Sequence, residues 1–260
     1  MDNAALPISF LRTTPKGEDS EVSRAVAVEA PVSVEFNGIG YAVMMATPAD
    51  LEDFATGFSL SERLVDNAGE IVAIDHHHSA AGHILRISLA ASRSDTLLAR
   101  VRHRVSDSSC GLCGIENLEQ ALRPLPRVTA ASEVGDAAIF EAIGRLRGMQ
   151  PLNRETGAVH AAARCASDGT VISVREDVGR HNAFDKLVGS MARANEGWAG
   201  GFALLSSRCS YELVEKAALS NCPMLVTISA PTTLAVERAR EAGIRLVVLA
   251  RADAILTVSP

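Results

Sequence analysis

Gly201-Phe202-Ala203-Leu204-Leu205-Ser206-Ser207-Arg208-Cys209-Ser210 reads as an unbroken apolar run that stops at a polar segment. A continuous run, rather than alternation, marks a strand buried on both faces. A helix follows, with Leu213, Val214 and Ala217 turned inward. The unit then repeats. Residues 224–229 form a second apolar strand ending at Ala230-Pro231-Thr232, and residues 234–242 a helix closed by Gly243 at its C′ position. Residues 244–250 form a third strand, ending at Arg251-Ala252-Asp253. Upstream, Asp168-Gly169 turns the chain into Val171-Ile172-Ser173-Val174, and a later helix carries Phe184, Leu187, Val188 and Met191. This repetition predicts an α/β domain with a largely parallel sheet covered on both faces.

In such sheets ligands bind beyond the carboxyl ends of the strands. That rule selects four segments, at residues 175–182, 206–210, 229–232 and 250–253. They hold Asp177, Arg180, His181, Ser207, Arg208, Ser229, Ala250, Arg251, Ala252 and Asp253. Two segments lead directly into helices, whose free N–H groups attract phosphate. The expectation is a pocket for a polar, phosphorylated ligand, set against a purely structural ion-pair network of Asp177, Arg180 and Arg208. Neither a Gly-x-Gly-x-x-Gly fingerprint nor a P-loop is present, which argues against an ordinary dinucleotide or triphosphate site.

Before this region, two prolines at 124 and 126 read as a linker, and Ser132 as the cap of a helix carrying Ile139, Phe140, Ile143 and Leu146. Thr156-Gly157-Ala158-Val159-His160-Ala161-Ala162-Ala163 supplies small residues for close packing of helix on sheet. The N-terminal half reads as β-rich. Residues 24–36 are extended and broken at Pro31. Asn37-Gly38 signals a hairpin, and residues 39–45 return as its second strand. Thr47 and Pro48 suit the start of a helix with Leu51, Phe54, Ala55 and Phe58 on its apolar stripe. Two more strands, 70–75 and 83–89, flank His76-His77-His78, read as a solvated turn rather than a metal site. Arg100-Val101-Arg102-His103-Arg104-Val105 reads as extended, either an edge strand defended by charge or a cationic approach to the next segment.

That segment is Ser108-Ser109-Cys110-Gly111-Leu112-Cys113-Gly114. Two thiols two residues apart can share a metal, close a disulfide or relay sulfur. Gly111 and Gly114 favour a loop, and no second Cys-x-x-Cys completes a zinc set. A reactive pair, its thiolate favoured by the nearby arginines, is the preferred reading. Cys165, Cys209 and Cys222 read as small packed residues.

The chain of 260 residues is long enough for a full core, and its net charge of −6 argues against a broad nucleic-acid surface. An odd cysteine count of five fits a reducing cytoplasm, not a disulfide framework. No leader or membrane span is read in it. Four regions are expected: a mobile arm at 1–20, a β-rich subdomain at 21–107, the Cys-x-x-Cys loop and linker at 108–126, and the α/β domain at 127–260.

Five motifs occur in order: Ser109-Cys110-Gly111-Leu112-Cys113-Gly114, Thr156-Gly157-Ala158-Val159-His160-Ala161-Ala162, Arg175-Glu176-Asp177-Val178-Gly179-Arg180-His181-Asn182-Ala183, Ser207-Arg208-Cys209-Ser210-Tyr211-Glu212-Leu213-Val214 and Ser229-Ala230-Pro231-Thr232. Together they resemble the FdhD family of formate dehydrogenase accessory sulfurtransferases. The resemblance implies a cytidine-deaminase-like three-layer domain with a smaller β-rich subdomain, and a homodimer. It implies a sulfur carrier that takes persulfide sulfur from a cysteine desulfurase. The sulfur passes to the molybdenum bis(guanine dinucleotide) cofactor, bound as substrate, before the cofactor enters formate dehydrogenase; GDP is then a partial mimic. Cys110 matches the persulfide-bearing cysteine and Cys113 its neighbour. The cofactor-binding segment falls at Leu249 to Ala254, where this chain has Ala252, Asp253 and Ala254 in place of more basic or polar residues. Two rivals are a zinc deaminase and a non-catalytic cofactor-binding chaperone of formate dehydrogenase. The deaminase needs His-x-Glu and Pro-Cys-x-x-Cys, but His160 precedes Ala161-Ala162 and Cys222 precedes Pro223.

Overall fold

A computed structural model describes residues 3–106 and 123–259 of the chain. The Cys-x-x-Cys segment, with Cys110 and Cys113, lies outside the described residues.

The chain opens with a two-stranded antiparallel ribbon, β1 (Ala5–Thr13) and β2 (Asp19–Ala27). A mobile arm was the expectation for much of this stretch. The ribbon forms because Gly17, at φ +79, turns the chain and Glu18 and Thr14 close the end by a backbone hydrogen bond of 3.0 Å. Leu6, Ile8 and Phe10 alternate onto one face and stay exposed.

A four-stranded sheet follows, in the order β4-β3-β6-β5, from β3 (Ala30–Phe36), β4 (Ile39–Ala46), β5 (Ile71–Ser79) and β6 (Gly82–Leu89). Asn37 and Gly38 both take positive φ, as a two-residue hairpin demands. Pro31 lies inside β3 rather than breaking it, because the break falls at Val28-Glu29. Val32, Val34, Phe36, Leu85 and Ile87 pack beneath α1 (Leu51–Ser61) and Leu97 of α2 (Ser94–Ser106).

Three local expectations fail here. Asp50, not Thr47, stands at the N-cap position of α1, where its side chain makes no capping bond, and the Thr47 hydroxyl instead accepts the Val178 N–H at 3.1 Å. His76, His77 and His78 are strand residues of β5. His76 and His78 share a face, where the His78 ring stacks on His83 at 4.8 Å and His76 Nε2 meets His83 Nδ1 at 2.9 Å. The run 100–105 is helical, within α2, because Leu97 and Val101 repeat at four and turn toward the core.

The second half contains α3 (Asp136–Leu146), α4 (Pro151–Thr156), β7 (His160–Cys165), β8 (Val171–Asp177), α5 (Arg180–Arg193), β9 (Phe202–Leu205), α6 (Tyr211–Leu219), β10 (Met224–Thr227), α7 (Thr233–Ala242), β11 (Arg245–Val248) and β12 (Leu256–Thr257). Its six strands run β12-β11-β10-β9-β7-β8. Only β9, β10 and β11 form a parallel block, so the sheet is mixed where a largely parallel one was expected. The reason is the Asp168-Gly169 turn. Asp168 accepts the Thr170 N–H at 2.8 Å and Gly169 sits at φ +89, which folds β7 and β8 into a hairpin. Ser132 does not cap α3, which starts behind Gly135; its hydroxyl donates to the Gly200 carbonyl at 3.1 Å.

Both faces of the sheet are covered. Ala162, Ala203, Leu205, Leu225 and Leu246 meet residues of α5, α6 and α7, while Ala161, Ala163, Phe202, Leu204 and Val226 meet Ile139 and Leu146 of α3. The two halves join where α1 crosses α5. A Cβ on Gly57 would lie 1.8 Å from the Asp185 carbonyl oxygen, and one on Gly189 would lie 1.9 Å from that of Asp53. Only glycine permits this approach. Asp53 then takes ion pairs from Arg175 at 2.8 Å and Arg193 at 2.6 Å, which fix the crossing.

Candidate functional site

The sheet registers decide where the polar segments lie. β8 is antiparallel to β7 and β7 to β9, so β8 points the same way as β9, β10 and β11. The segments after all four strands therefore gather at one edge, joined by the start of β7, where His160 stands opposite Asp177. Backbone bonds stitch the segments together. Cys209 N–H donates to Ala230 O at 3.1 Å, Thr232 N–H to Cys209 O at 3.0 Å, and Leu249 N–H to Ser229 O at 3.2 Å.

The residues at this edge divide by environment. Asp177 is fully enclosed. Its Oδ1 accepts from Gly179 N–H at 2.7 Å and Asn182 Nδ2 at 3.0 Å, and its Oδ2 from Thr47 N–H at 3.0 Å. Lys186 Nζ, also enclosed, lies 2.6 Å from Oδ2 and donates to Thr47 O at 2.9 Å. Asp177 thus holds the loop before α1 against the start of α5. Ser207 is buried, its hydroxyl turned onto the Arg208 carbonyl at 3.0 Å. The carbonyl of half-buried Ser229 also accepts from the Thr227 hydroxyl at 3.1 Å. Ala250 is buried and donates to Thr227 O at 3.1 Å.

Other groups face outward. Arg208, Arg251, Ala252, Asp253 and Ala254 are exposed, and an Arg251 N–H to Ala254 O bond of 2.9 Å shapes the last four into a turn. Leu249, just before it, is held at φ +49, a backbone state that costs a leucine energy. Arg180 opens α5, and its Nε is buried without a hydrogen-bond partner.

The electrostatics of the edge are positive. Burial, then the charge of Arg180, lowers the His160 pKa below the usual imidazole range. Burial first, then Arg180, Lys216 and Arg208, holds His181 down at about 4, so its imidazole is neutral at pH 7. The α5 and α6 N-termini also open here, and neither has a side-chain cap. Free N–H groups, arginines and neutral imidazoles together favour an anion.

Two participants escaped the sequence reading. Lys186 had a visible signal, being a lysine amid Ala183, Phe184, Leu187 and Val188, where burial demands a partner. His160 joins the edge only through its strand register, which no local pattern encodes. Cys165, Cys209 and Cys222 are buried, as expected of packed residues, and burial pushes each thiol up to about 12.

The family model described as the FdhD/NarQ family matches residues 27–259. The chain belongs to that family. It is 45% identical over 248 residues to the sulfur carrier protein FdhD of Xanthomonas euvesicatoria pv. vesicatoria (strain 85-10), spanning 94% of this chain and 88% of that FdhD. It is 43% identical over 228 residues to the FdhD of Variovorax paradoxus (strain S110), covering 88% and 82% of the two chains. In fold it is similar to a Desulfotalea psychrophila protein solved as a formate dehydrogenase accessory protein. That likeness has a TM-score of 0.78, covers 99% and 98% of the two chains, and stands at 22% identity. Of the five ordered motifs, the four at 156–162, 175–183, 207–214 and 229–232 lie along this edge; the one with Cys110 and Cys113 is outside the described residues. Among the described residues, no helix is long and apolar enough to cross a membrane.

Proposed function

We propose that this chain is a sulfur carrier that serves formate dehydrogenase, with Cys110 as the cysteine that bears the sulfur. The observation that carries the reading is the identity with FdhD sulfur carriers over nearly the whole chain. The thiol chemistry supports it. A buried thiol pushed up to about 12 is neither nucleophilic nor reachable, which removes Cys165, Cys209 and Cys222 and leaves Cys110 and Cys113. In the transfer, the Cys110 thiolate attacks the outer sulfur of a desulfurase persulfide. The S–S bond of the donor breaks, the desulfurase leaves as its thiolate, and Cys110 keeps the sulfur as a new persulfide. A cell lacking its own FdhD is expected to regain formate dehydrogenase activity when given this chain; no recovery from a soluble, folded product would refute the assignment.

The edge is the proposed seat of the guanine dinucleotide cofactor, the substrate that receives the sulfur. Its support is the gathering of Arg180, His181, Arg208, Ser229 and Leu249 to Ala254 at the ends of neighbouring strands, with two uncapped helix N-termini. Asp177 and Ser207 serve by holding the walls, since their polar atoms are spent internally. The hairpin β8-β7 beside three parallel strands supports the deaminase-like reading of this sheet. GDP is the probe. Arg208→Ala or Arg251→Ala is expected to weaken it about tenfold to hundredfold, the worth of one hydrogen bond to a charged group, roughly 1.5–3 kcal/mol. Calorimetry showing unchanged GDP affinity in both variants, with ATP bound equally well by the wild type, would refute the site.

A homodimer is part of the same reading. A two-stranded ribbon is marginal alone, and a second copy laid over Leu6, Ile8 and Phe10 would give its apolar face a cover. Light scattering is expected to give a dimer mass, shifted toward monomer by Ile8→Asp. A wild-type monomer at every concentration would contradict it.

A further inference from the structure

His76 and His78 point to one face of β5, and β6 brings His83 to the same face, directly opposite His78. Leu85 and Ile87 share that face and are buried, so the histidines extend the row of core positions toward the hairpin turn. His83 is itself buried, while His76 and His78 are exposed. The His78 ring stacks on His83, with centroids 4.8 Å apart and planes within 17°. The His76 ring lies 5.1 Å from His83, and its Nε2 comes within 2.9 Å of His83 Nδ1. His77 points to the opposite face of the strand.

Two neutral imidazoles in this contact share one proton, which one nitrogen donates and the other accepts. With each ring carrying its proton on its far nitrogen, both lone pairs at the contact face a metal ion instead, and neither ring changes charge. The spacing suits that exchange. Two nitrogens about 2.0–2.1 Å from one ion stand about 2.9 Å apart at a right angle and about 3.3 Å apart at the tetrahedral angle. The right angle is the cis arrangement of copper(II) and nickel(II), the tetrahedral angle that of zinc. Among the described residues, no group of three or more His, Cys, Asp and Glu is placed to hold an ion. The protein's share is thus two nitrogens, with water on the other positions. His76 opens onto a cavity of about 480 Å³ that it lines with Asp50, Glu52, Asp53 and Arg193, which gives water room. The three carboxylates outnumber Arg175 and Arg193, the guanidinium groups paired with them, and favour a cation.

We infer that His76 Nε2 and His83 Nδ1 bind a divalent transition-metal ion that accepts two nitrogens at a right angle, copper(II) or nickel(II). His78 is a positioning residue, holding the His83 ring by its stack. The bound ion ties β5 to β6 beside the start of α1. The site stands apart from the sulfur-carrier reading, because it uses no thiol and no residue of the strand-end edge.

The test is calorimetry with nickel(II) chloride on the full chain carrying Cys110→Ser and Cys113→Ser, so that these two thiols contribute no binding. One ion per chain is expected. His76→Ala and His83→Gln are each expected to weaken it at least about tenfold, since a ligand is worth no less than the outer partners that orient it. His77→Ala, on the opposite face, and His78→Phe, which keeps a stacked ring without its nitrogens, are expected to bind as the parent does. The proposal fails if nickel does not bind, if His76→Ala or a folded His83→Gln binds as tightly as the parent, or if His77→Ala loses as much as His76→Ala. It also fails if His78→Phe loses as much, which would put the ion on His76 and His78. The His76, His77 and His78 variants decide alone if His83→Gln does not fold.

Discussion

Cys110→Ser is expected to abolish maturation of formate dehydrogenase while leaving the protein folded. A serine hydroxyl cannot form a persulfide, and the three buried cysteines offer no substitute, since their thiols stay protonated at neutral pH. Serine is close to cysteine in size, so the substitution removes the sulfur with little change in side-chain volume. Complementation in cells lacking FdhD reads the result directly. Full activity from Cys110→Ser would favour the chaperone reading, in which the cofactor is held but not sulfurated. Cys113→Ser separates two versions of the chemistry, with a mild loss if Cys113 assists Cys110 and a complete loss if the two thiols form a relay.

Lys186→Met is expected to give the largest loss of stability of any single substitution at the site, about 3–5 kcal/mol, because it leaves a buried carboxylate unpaired. Asp177 and Lys186 are both fully enclosed and 2.6 Å apart. The pair also ties the Thr47 backbone to the start of α5, so its loss loosens the junction of the two halves as well as the edge. Urea unfolding at fixed protein concentration measures the effect. The double variant Asp177→Asn, Lys186→Met should recover part of the loss, since no unpaired charge then remains. A single variant as stable as the wild type would mean that Asp177 finds another cation or takes up a proton at little cost.

Much of the fold was legible because burial leaves a plain signature. The strands β9, β10 and β11 are apolar at every buried position but Thr227, and their polar ends mark the edge where a ligand would sit. The failures have physical causes. Arg100 to Val105 alternates with a period of two, yet Leu97 and Val101 repeat at four and tertiary burial follows that second pattern. Three consecutive histidines cannot all face one way on a strand, which suggests a turn, but His76 and His78 share one face of β5 and are matched across the sheet by His83, a partner seven and five residues away. Thr47 has the chemistry of a cap and spends it on Val178, far along the chain. Asp177 was legible as a functional-looking residue, while its role depends on Thr47, Asn182 and Lys186 converging in three dimensions. Gly57 and Gly189 carry no local signal either, since their need for a missing side chain arises only when α1 and α5 cross.

The central claim is that Cys110 carries sulfur, and intact-mass spectrometry tests it most directly. The purified chain is incubated with a cysteine desulfurase and L-cysteine and weighed without reductant. The account predicts a gain of the mass of one sulfur atom, located on Cys110 by peptide mapping, lost on addition of dithiothreitol and absent from Cys110→Ser. A wild-type chain that gains no sulfur, or a Cys110→Ser chain that gains it equally, would contradict the account.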